Sequence, residues 1–177
     1  MPAGAAMKSP RDTRVTSTMA DQAIHIATIG YEGATVESFL DALRSDRTSL
    51  LVDVRALAMS RRPGFAKSRL TANLQDAGIE YLHLRGLGTP ADGRAAARAG
   101  KHARMHEIFR AHLVTPAAQA DLDTLRSIIA SGRRVCLLCF EADPRHYHRS
   151  IVIDALSQSL KLEVANLRPV DGDREPD

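Results

Sequence analysis

The hydrophobic residues of the chain form short apolar runs that alternate with longer segments of helical periodicity. The apolar runs predict buried β-strands over residues 24–29, 49–54, 79–84, 134–139 and 162–167. The periodic segments predict one helix that begins after an N-cap at Thr35, and further helices over residues 68–77, 101–113, 117–130 and 149–160. Because strands and helices alternate along the chain, the pattern favours a parallel sheet covered by helices on both faces.

The ends of the chain and one internal segment differ from this pattern. Residues 1–22 show no hydrophobic period and residues 170–177 are acidic, so we predict two disordered tails around a single α/β domain at residues 23–169. Residues 86–100 are rich in small residues and are predicted to form a long loop. The expected sheet has about five strands and is mostly parallel.

Composition narrows the class of protein. Of the 177 residues, 44% are hydrophobic and 25% are charged, which is typical of a soluble globular domain. No apolar stretch approaches the roughly 18 residues of a membrane span, and no secretory signal is visible. The two cysteines are three positions apart on one predicted strand, which argues against a disulfide framework. We therefore expect a cytoplasmic, reduced protein that does not associate with membranes.

The cations are concentrated after the second predicted strand. No acidic residue occurs between Asp53 and Asp76, and the cations in that interval are Arg55, Arg61, Arg62, Lys67 and Arg69. Arginine can bind phosphate or carboxylate groups in bidentate fashion, so the patch suits an anionic small molecule or a nucleic-acid backbone. A solvated, arginine-rich face explains it equally well.

Polar residues lie at the carboxyl ends of two of the apolar runs. Asp53 and Arg55 lie at the end of the second run, and a larger group follows the fourth. Cys139 ends one run, and Glu141, His146, His148 and Arg149 come shortly after it. In open α/β proteins the carboxyl ends of parallel strands meet at one edge, where such proteins build their sites. The sequence therefore predicts a site at this edge.

The candidate residues suggest two kinds of chemistry. Cys139, Glu141, His148 and Asp53 are the candidates for catalysis, since a thiol before a helix start can have a lowered pKa and the others can transfer protons. The candidates for anion or ligand binding are Arg55, Arg61, Arg149 and Tyr31. Two structural explanations remain open: Cys139 as a small core residue, and Asp53 with Arg55 as an ion pair that fixes a loop.

A metal site is the weaker interpretation. Metal sites need at least three or four protein ligands that converge on the ion. Cys139, His146 and His148 supply only three, the minimum, and all of them from one loop. His102 and His106 are four apart on a predicted helix, as metal ligands on one face would be, but their Arg-rich helix favours surface positions. The sequence requires no cofactor.

Four motifs together resemble the domain of unknown function 488 family. They are TIGYEG at residues 28–33, VDVR at 52–55, SRRPGF at 60–65, and LCFE at 138–141 followed by Pro144, His148 and Arg149. The resemblance implies a compact Rossmann-like domain in a cytoplasmic prokaryotic protein, and implies little about activity. It assigns motif positions to Tyr31, Asp53, Arg55, Arg61, Pro63, Gly64, Phe65, Cys139, Glu141, Pro144, His148 and Arg149. Tyr147 stands where the family usually has a second cysteine, which argues against two-cysteine chemistry.

Three functional hypotheses follow. In the first, the protein binds or acts on a phosphate-bearing, nucleotide or nucleic-acid ligand at the predicted edge. In the second, it is a rhodanese-like or phosphatase-like cysteine-dependent transferase that uses Cys139. Arg149 follows Cys139 by ten positions, which is longer than a tight phosphate-binding loop, so this hypothesis ranks second. The third is a non-catalytic binding module.

Overall fold

The computed structural model describes residues 22–170, and within them five strands form one all-parallel sheet. The strands are β1 (Ile24–Gly30), β2 (Leu50–Asp53), β3 (Glu80–His83), β4 (Val135–Cys139) and β5 (Leu162–Leu167), in the spatial order β3-β2-β4-β1-β5. The predicted α/β fold with a parallel sheet is confirmed. Apart from Gln22 and Val170, the two predicted tails lie outside the described residues.

Helices cover both faces of the sheet. They are α1 (Val36–Ser45), α2 (Lys67–Asp76), α3 (Ala91–Arg98), α4 (His102–Leu113), α5 (Pro116–Ala130) and α6 (His148–Ser157). Two short 3-10 helices cover Arg85–Leu87 and Pro144–His146. No helix within residues 22–170 is long and apolar enough to cross a membrane.

The core consists of two hydrophobic clusters, one on each face of the sheet. Successive residues of a strand point to opposite faces. Accordingly, Leu51 and Leu138 pack with Phe39 of α1 in one cluster, whereas Leu137 packs with Phe109 of α4 in the other. This explains the uninterrupted apolar runs, since a strand buried on both faces has no polar side.

The segment of residues 86–100 was wrongly predicted as one long loop, because α3 occupies Ala91–Arg98. Pro90 precedes the helix, and Gly93 is buried within it. A Cβ atom at Gly93 would lie 2.7 Å from Cγ2 of Thr89, so the glycine permits close packing rather than marking a loop. The small residues of this helix gave no clear helical period to the sequence.

Candidate site at the carboxyl edge of the sheet

The end of β2 carries a buried ion pair. Asp53 is fully buried and Arg55 is 6% exposed. The Arg55 Nε and Nη2 atoms donate to Asp53 Oδ1 and Oδ2 at 2.8 and 2.6 Å. Arg55 Nη1 donates to the Tyr31 hydroxyl at 3.1 Å and to the Phe65 carbonyl at 3.0 Å. The guanidinium therefore uses four of its five N–H donors within the protein, and both Arg55 and Tyr31 are almost fully buried.

Electrostatics explain why this pair stays charged. Burial alone would lower the pKa of Arg55, but hydrogen bonds to Asp53 and the charge of Asp53 outweigh it and raise the pKa. Tyr81 donates to Asp53 Oδ2 at 2.6 Å, and burial followed by this bond raises the pKa of the phenol. The network fixes the β2–α2 loop (residues 54–66). This is the role expected of Asp53 and Arg55 if their ion pair is structural.

A second group of residues surrounds the β4–α6 loop (residues 140–147). Arg149 Nη2 donates to the Glu141 carbonyl at 2.8 Å, and Cys139 Sγ lies 3.6 Å from the same oxygen. A Cβ atom at Gly30 would lie 1.8 Å from that oxygen, so the glycine at the end of β1 allows the loop to cross the sheet edge. Cys139, Glu141 and Arg149 are thus brought together, largely through the backbone of Glu141.

Cys139 and His148 are both buried in this region. Burial raises the pKa of the Cys139 thiol, which the charge of Arg149 opposes without cancelling. A thiol that is 1% exposed and protonated at neutral pH does not favour the cysteine-nucleophile hypothesis. His148 Nε2 lies 3.1 Å from the Val54 carbonyl, and burial lowers the pKa of its imidazole. Its side chain holds the two loops together.

The remaining candidates fall outside these contacts. Arg61 is exposed in the β2–α2 loop. Asp143, which follows this group in the β4–α6 loop, accepts a hydrogen bond from the Arg145 backbone at 2.9 Å and caps the 3-10 helix Pro144–His146. No group of three or more potential metal ligands occurs among the described residues, and the side chain of His146 lies outside them.

A pocket beside the β4–α6 loop brings in residues that the sequence did not single out. It measures about 390 Å³ and is lined by Thr89, Arg94, Ala97, Arg98, Met105, Phe140, Glu141 and Tyr147. Arg94 and Arg98 are four apart on α3 and therefore share a helix face. The four-residue spacing of Arg94 and Arg98 is visible in the sequence. It indicates a shared face only in a helix, so the prediction of a loop gave it no significance.

The pocket combines cationic, acidic and apolar groups. Arg94 is oriented by a 2.8 Å bond from Nη1 to the Thr89 carbonyl. Burial and the charge of Glu141 raise the pKa of Tyr147, which keeps its hydroxyl protonated. Phe140 is 42% exposed. Its ring makes a T-shaped contact with the Tyr31 ring, with the two ring centroids 5.3 Å apart. Arg94, Arg98, Glu141 and Phe140 thus all line one cavity.

Comparison with known proteins places the chain in a family. The family model described as "Domain of unknown function DUF488" matches residues 35–156, which is more than half of the chain. The chain belongs to this family. The expected family is confirmed, and the matched residues of this DUF488 domain run from Thr35 before α1 to Leu156 in α6. No curated protein and no solved structure matches the chain.

Proposed function

We propose that this DUF488 protein binds a phosphate-bearing ligand of about mononucleotide size in the pocket that Arg94 and Arg98 line, which we call the Arg94–Arg98 pocket. The observation that carries the proposal is the convergence of two arginines, Glu141 and Phe140 on one cavity at the carboxyl edge of a parallel sheet. Ligand sites of open α/β folds lie at this edge. Arginine pairs suit phosphate, and the volume lies within the range of about 300–1,000 Å³ typical of small-molecule pockets.

Glu141 is the residue most suited to move a proton on such a ligand. Its carbonyl accepts a hydrogen bond from Arg149, Glu141 lines the pocket together with the two arginines, and its charge raises the pKa of Tyr147 in the same lining. A positioned carboxylate can act as a general acid or base. The ion pair of Asp53 and Arg55 fixes the neighbouring β2–α2 loop. The contact of His148 with the Val54 carbonyl joins that loop to the start of α6.

The test is a thermal-shift and calorimetric screen of nucleotides, sugar phosphates and oligonucleotides at two salt concentrations. Wild type is compared with Arg94→Ala/Arg98→Ala and with Arg104→Ala/Arg110→Ala, which removes two exposed arginines from the adjacent α4. Both variants lose the same charge. We expect at least a tenfold loss of affinity in the α3 variant only, about 1.4 kcal/mol or more. Equal losses in both variants would indicate a diffuse charge effect and contradict the proposal.

Two further arms identify the mode of action. Glu141→Gln removes the acid and keeps the backbone carbonyl that contacts Arg149. If the ligand is also a substrate, this variant binds it within about threefold of wild type but loses turnover. Binding restricted to oligonucleotides, and lost in an Arg61→Ala/Arg69→Ala variant, would instead assign the ligand to the exposed cations of the β2–α2 loop and the start of α2.

A further inference from the structure

A second pocket lies between α6 and the β1–β5 edge of the sheet. Its volume is about 230 Å³, and its lining includes Thr28, Arg149, Ser150, Ile153, Val164 and Asn166. None of these residues lines the Arg94–Arg98 pocket. The volume is below the range of about 300–1,000 Å³ for drug-sized ligands, so the pocket suits a small molecule.

Arg149 gives this pocket a buried and incompletely satisfied charge. The residue is 1% exposed, and no ion pair to it occurs within residues 22–170. Nη2 donates to backbone carbonyls, and the contact from Nη1 to Thr28 Oγ1 is 3.5 Å long. Among the residues that the structure describes, Nε of Arg149 has no hydrogen-bond partner. A buried charge is costly unless paired, so the site favours an external anion.

The helix that carries Arg149 adds to this preference. Tyr147, the N-cap of α6, makes no side-chain capping bond. Ser150 lies in the first turn and lines the pocket. The N-terminus of a helix attracts negative charge because its first N–H groups lack intrahelical partners. Both the guanidinium and the helix end therefore point to an anionic ligand.

The rest of the lining defines the kind of anion. Ile153 and Val164 provide apolar walls, which suit hydrocarbon rather than the oxygens of a phosphate. The lining also includes Arg145, whose charge is paired with Asp143 at 2.8 Å, and Asp154, which repels a doubly charged ligand more strongly than a singly charged one. We propose that this pocket binds the carboxylate of a small aliphatic acid against Arg149, with its hydrocarbon part between α6 and β5.

Calorimetry with butyrate tests the proposal, with inorganic phosphate and butylamine as comparison ligands. We expect saturable binding of butyrate, and at least tenfold weaker binding in Asn166→Asp, which places a fixed carboxylate in the pocket. Gln158→Glu makes the same change of charge at the exposed far end of α6 and should bind as wild type does. Arg149→Lys should also bind at least tenfold more weakly, and Asn166→Asp remains decisive if that variant fails to fold.

Several results would overturn the proposal. They are an absence of saturable butyrate binding, equal binding by wild type and Asn166→Asp, and tighter binding of phosphate or butylamine than of butyrate. The inference does not depend on the function proposed for the other pocket, so Arg94→Ala/Arg98→Ala should bind butyrate normally. Loss of butyrate binding in that variant, with Asn166→Asp unaffected, would assign the acid to the other pocket.

Discussion

At the scale of single residues, Asp53 is the side chain on which the carboxyl edge most depends. Its two carboxylate oxygens accept from the guanidinium and the backbone of Arg55 and from the Tyr81 hydroxyl. Removal of one partner from a buried pair leaves the other charge uncompensated, at a cost of about 3–5 kcal/mol. We therefore expect Asp53→Asn to lower the free energy of unfolding by about that amount, as measured by urea denaturation.

A surface pair provides the matched control for this prediction. Asp41 and Arg44 form a 3.1 Å ion pair on α1 in which both side chains are more than half exposed. Asp41→Asn makes the same chemical change and should cost less than about 1 kcal/mol, since exposed pairs contribute little. If both variants unfold at the same urea concentration, the buried pair does not hold the edge together.

His148 makes stability depend on pH. Burial lowers the pKa of its imidazole in the folded state, whereas the unfolded chain titrates near the ordinary value of about 6.5. Below about pH 6.5 the unfolded state therefore binds more protons, and stability falls as pH decreases towards the folded-state pKa. Above about pH 6.5 this contribution is fully present.

Urea denaturation at about pH 7.5 and about pH 5.5 measures this effect. Wild type should lose about 1 kcal/mol more than His148→Gln between the two conditions, because glutamine keeps a donor for the Val54 carbonyl but does not titrate in this range. Identical losses in the two proteins would mean that His148 does not cause the pH dependence.

At the scale of elements, the β2–α2 loop is the clearest case of an irregular segment held by specific contacts. The Phe65 ring stacks on Tyr31 at a centroid distance of 4.6 Å, and its carbonyl accepts from Arg55. Arg62 Nη2 donates to the Ala34 carbonyl at 2.6 Å. The loop is thus anchored in the core while Arg61 stays exposed, which makes Arg61 a natural site for trypsin.

Phe65→Leu should release this loop. We expect trypsin to cleave after Arg61 at least about fivefold faster than in wild type, since local opening becomes more frequent. Phe109→Leu makes the same substitution in the other hydrophobic cluster and serves as the control. Cleavage sites are identified by mass spectrometry. Equal acceleration at the loop in both variants would indicate global destabilisation rather than release of an anchored element.

The elements also show what the sequence determines locally. The apolar runs predicted β5 at its observed bounds, and the Thr35 N-cap is confirmed by a capping box with Ser38. Helix α3 was missed because its period is carried by alanines, which have little hydrophobic contrast with their neighbours. As a result, neither the shared helix face of Arg94 and Arg98 nor the pocket that they line could be predicted.

The sequence predicts which strand ends carry the candidate side chains, but not the contacts that those side chains make. Strand order suffices to place Asp53 and Cys139 at one edge, because all the strands are parallel. Whether an arginine there is paired internally depends on side chains distant in sequence: Arg55 finds Asp53, Tyr31 and Phe65, whereas no ion pair to Arg149 occurs among the described residues. Sequence spacing carries no information on such tertiary choices, which is why both arginines were assigned to anion binding.

At the scale of the whole molecule, the order of the strands makes the fold depend on its C-terminal third. β4 lies between β2 and β1 and pairs with both of them in parallel. The first two strands of the chain are therefore not hydrogen-bonded to each other, and β4 joins them into one sheet. Contacts between segments so distant in sequence carry a loop-closure cost before they stabilise anything.

This topology predicts that a fragment without β4 cannot form the sheet. A fragment of residues 22–132 keeps β1 to β3 and α1 to α5, but both hydrophobic clusters lose their central strand. We expect no cooperative urea transition by circular dichroism, and recovery of one when residues 133–170 are added as a separate peptide. Residues 22–170 should match the full chain within about 0.5 kcal/mol. A cooperative transition of the fragment alone would mean that β1 and β2 find another arrangement, and that β4 is added to a sheet already formed.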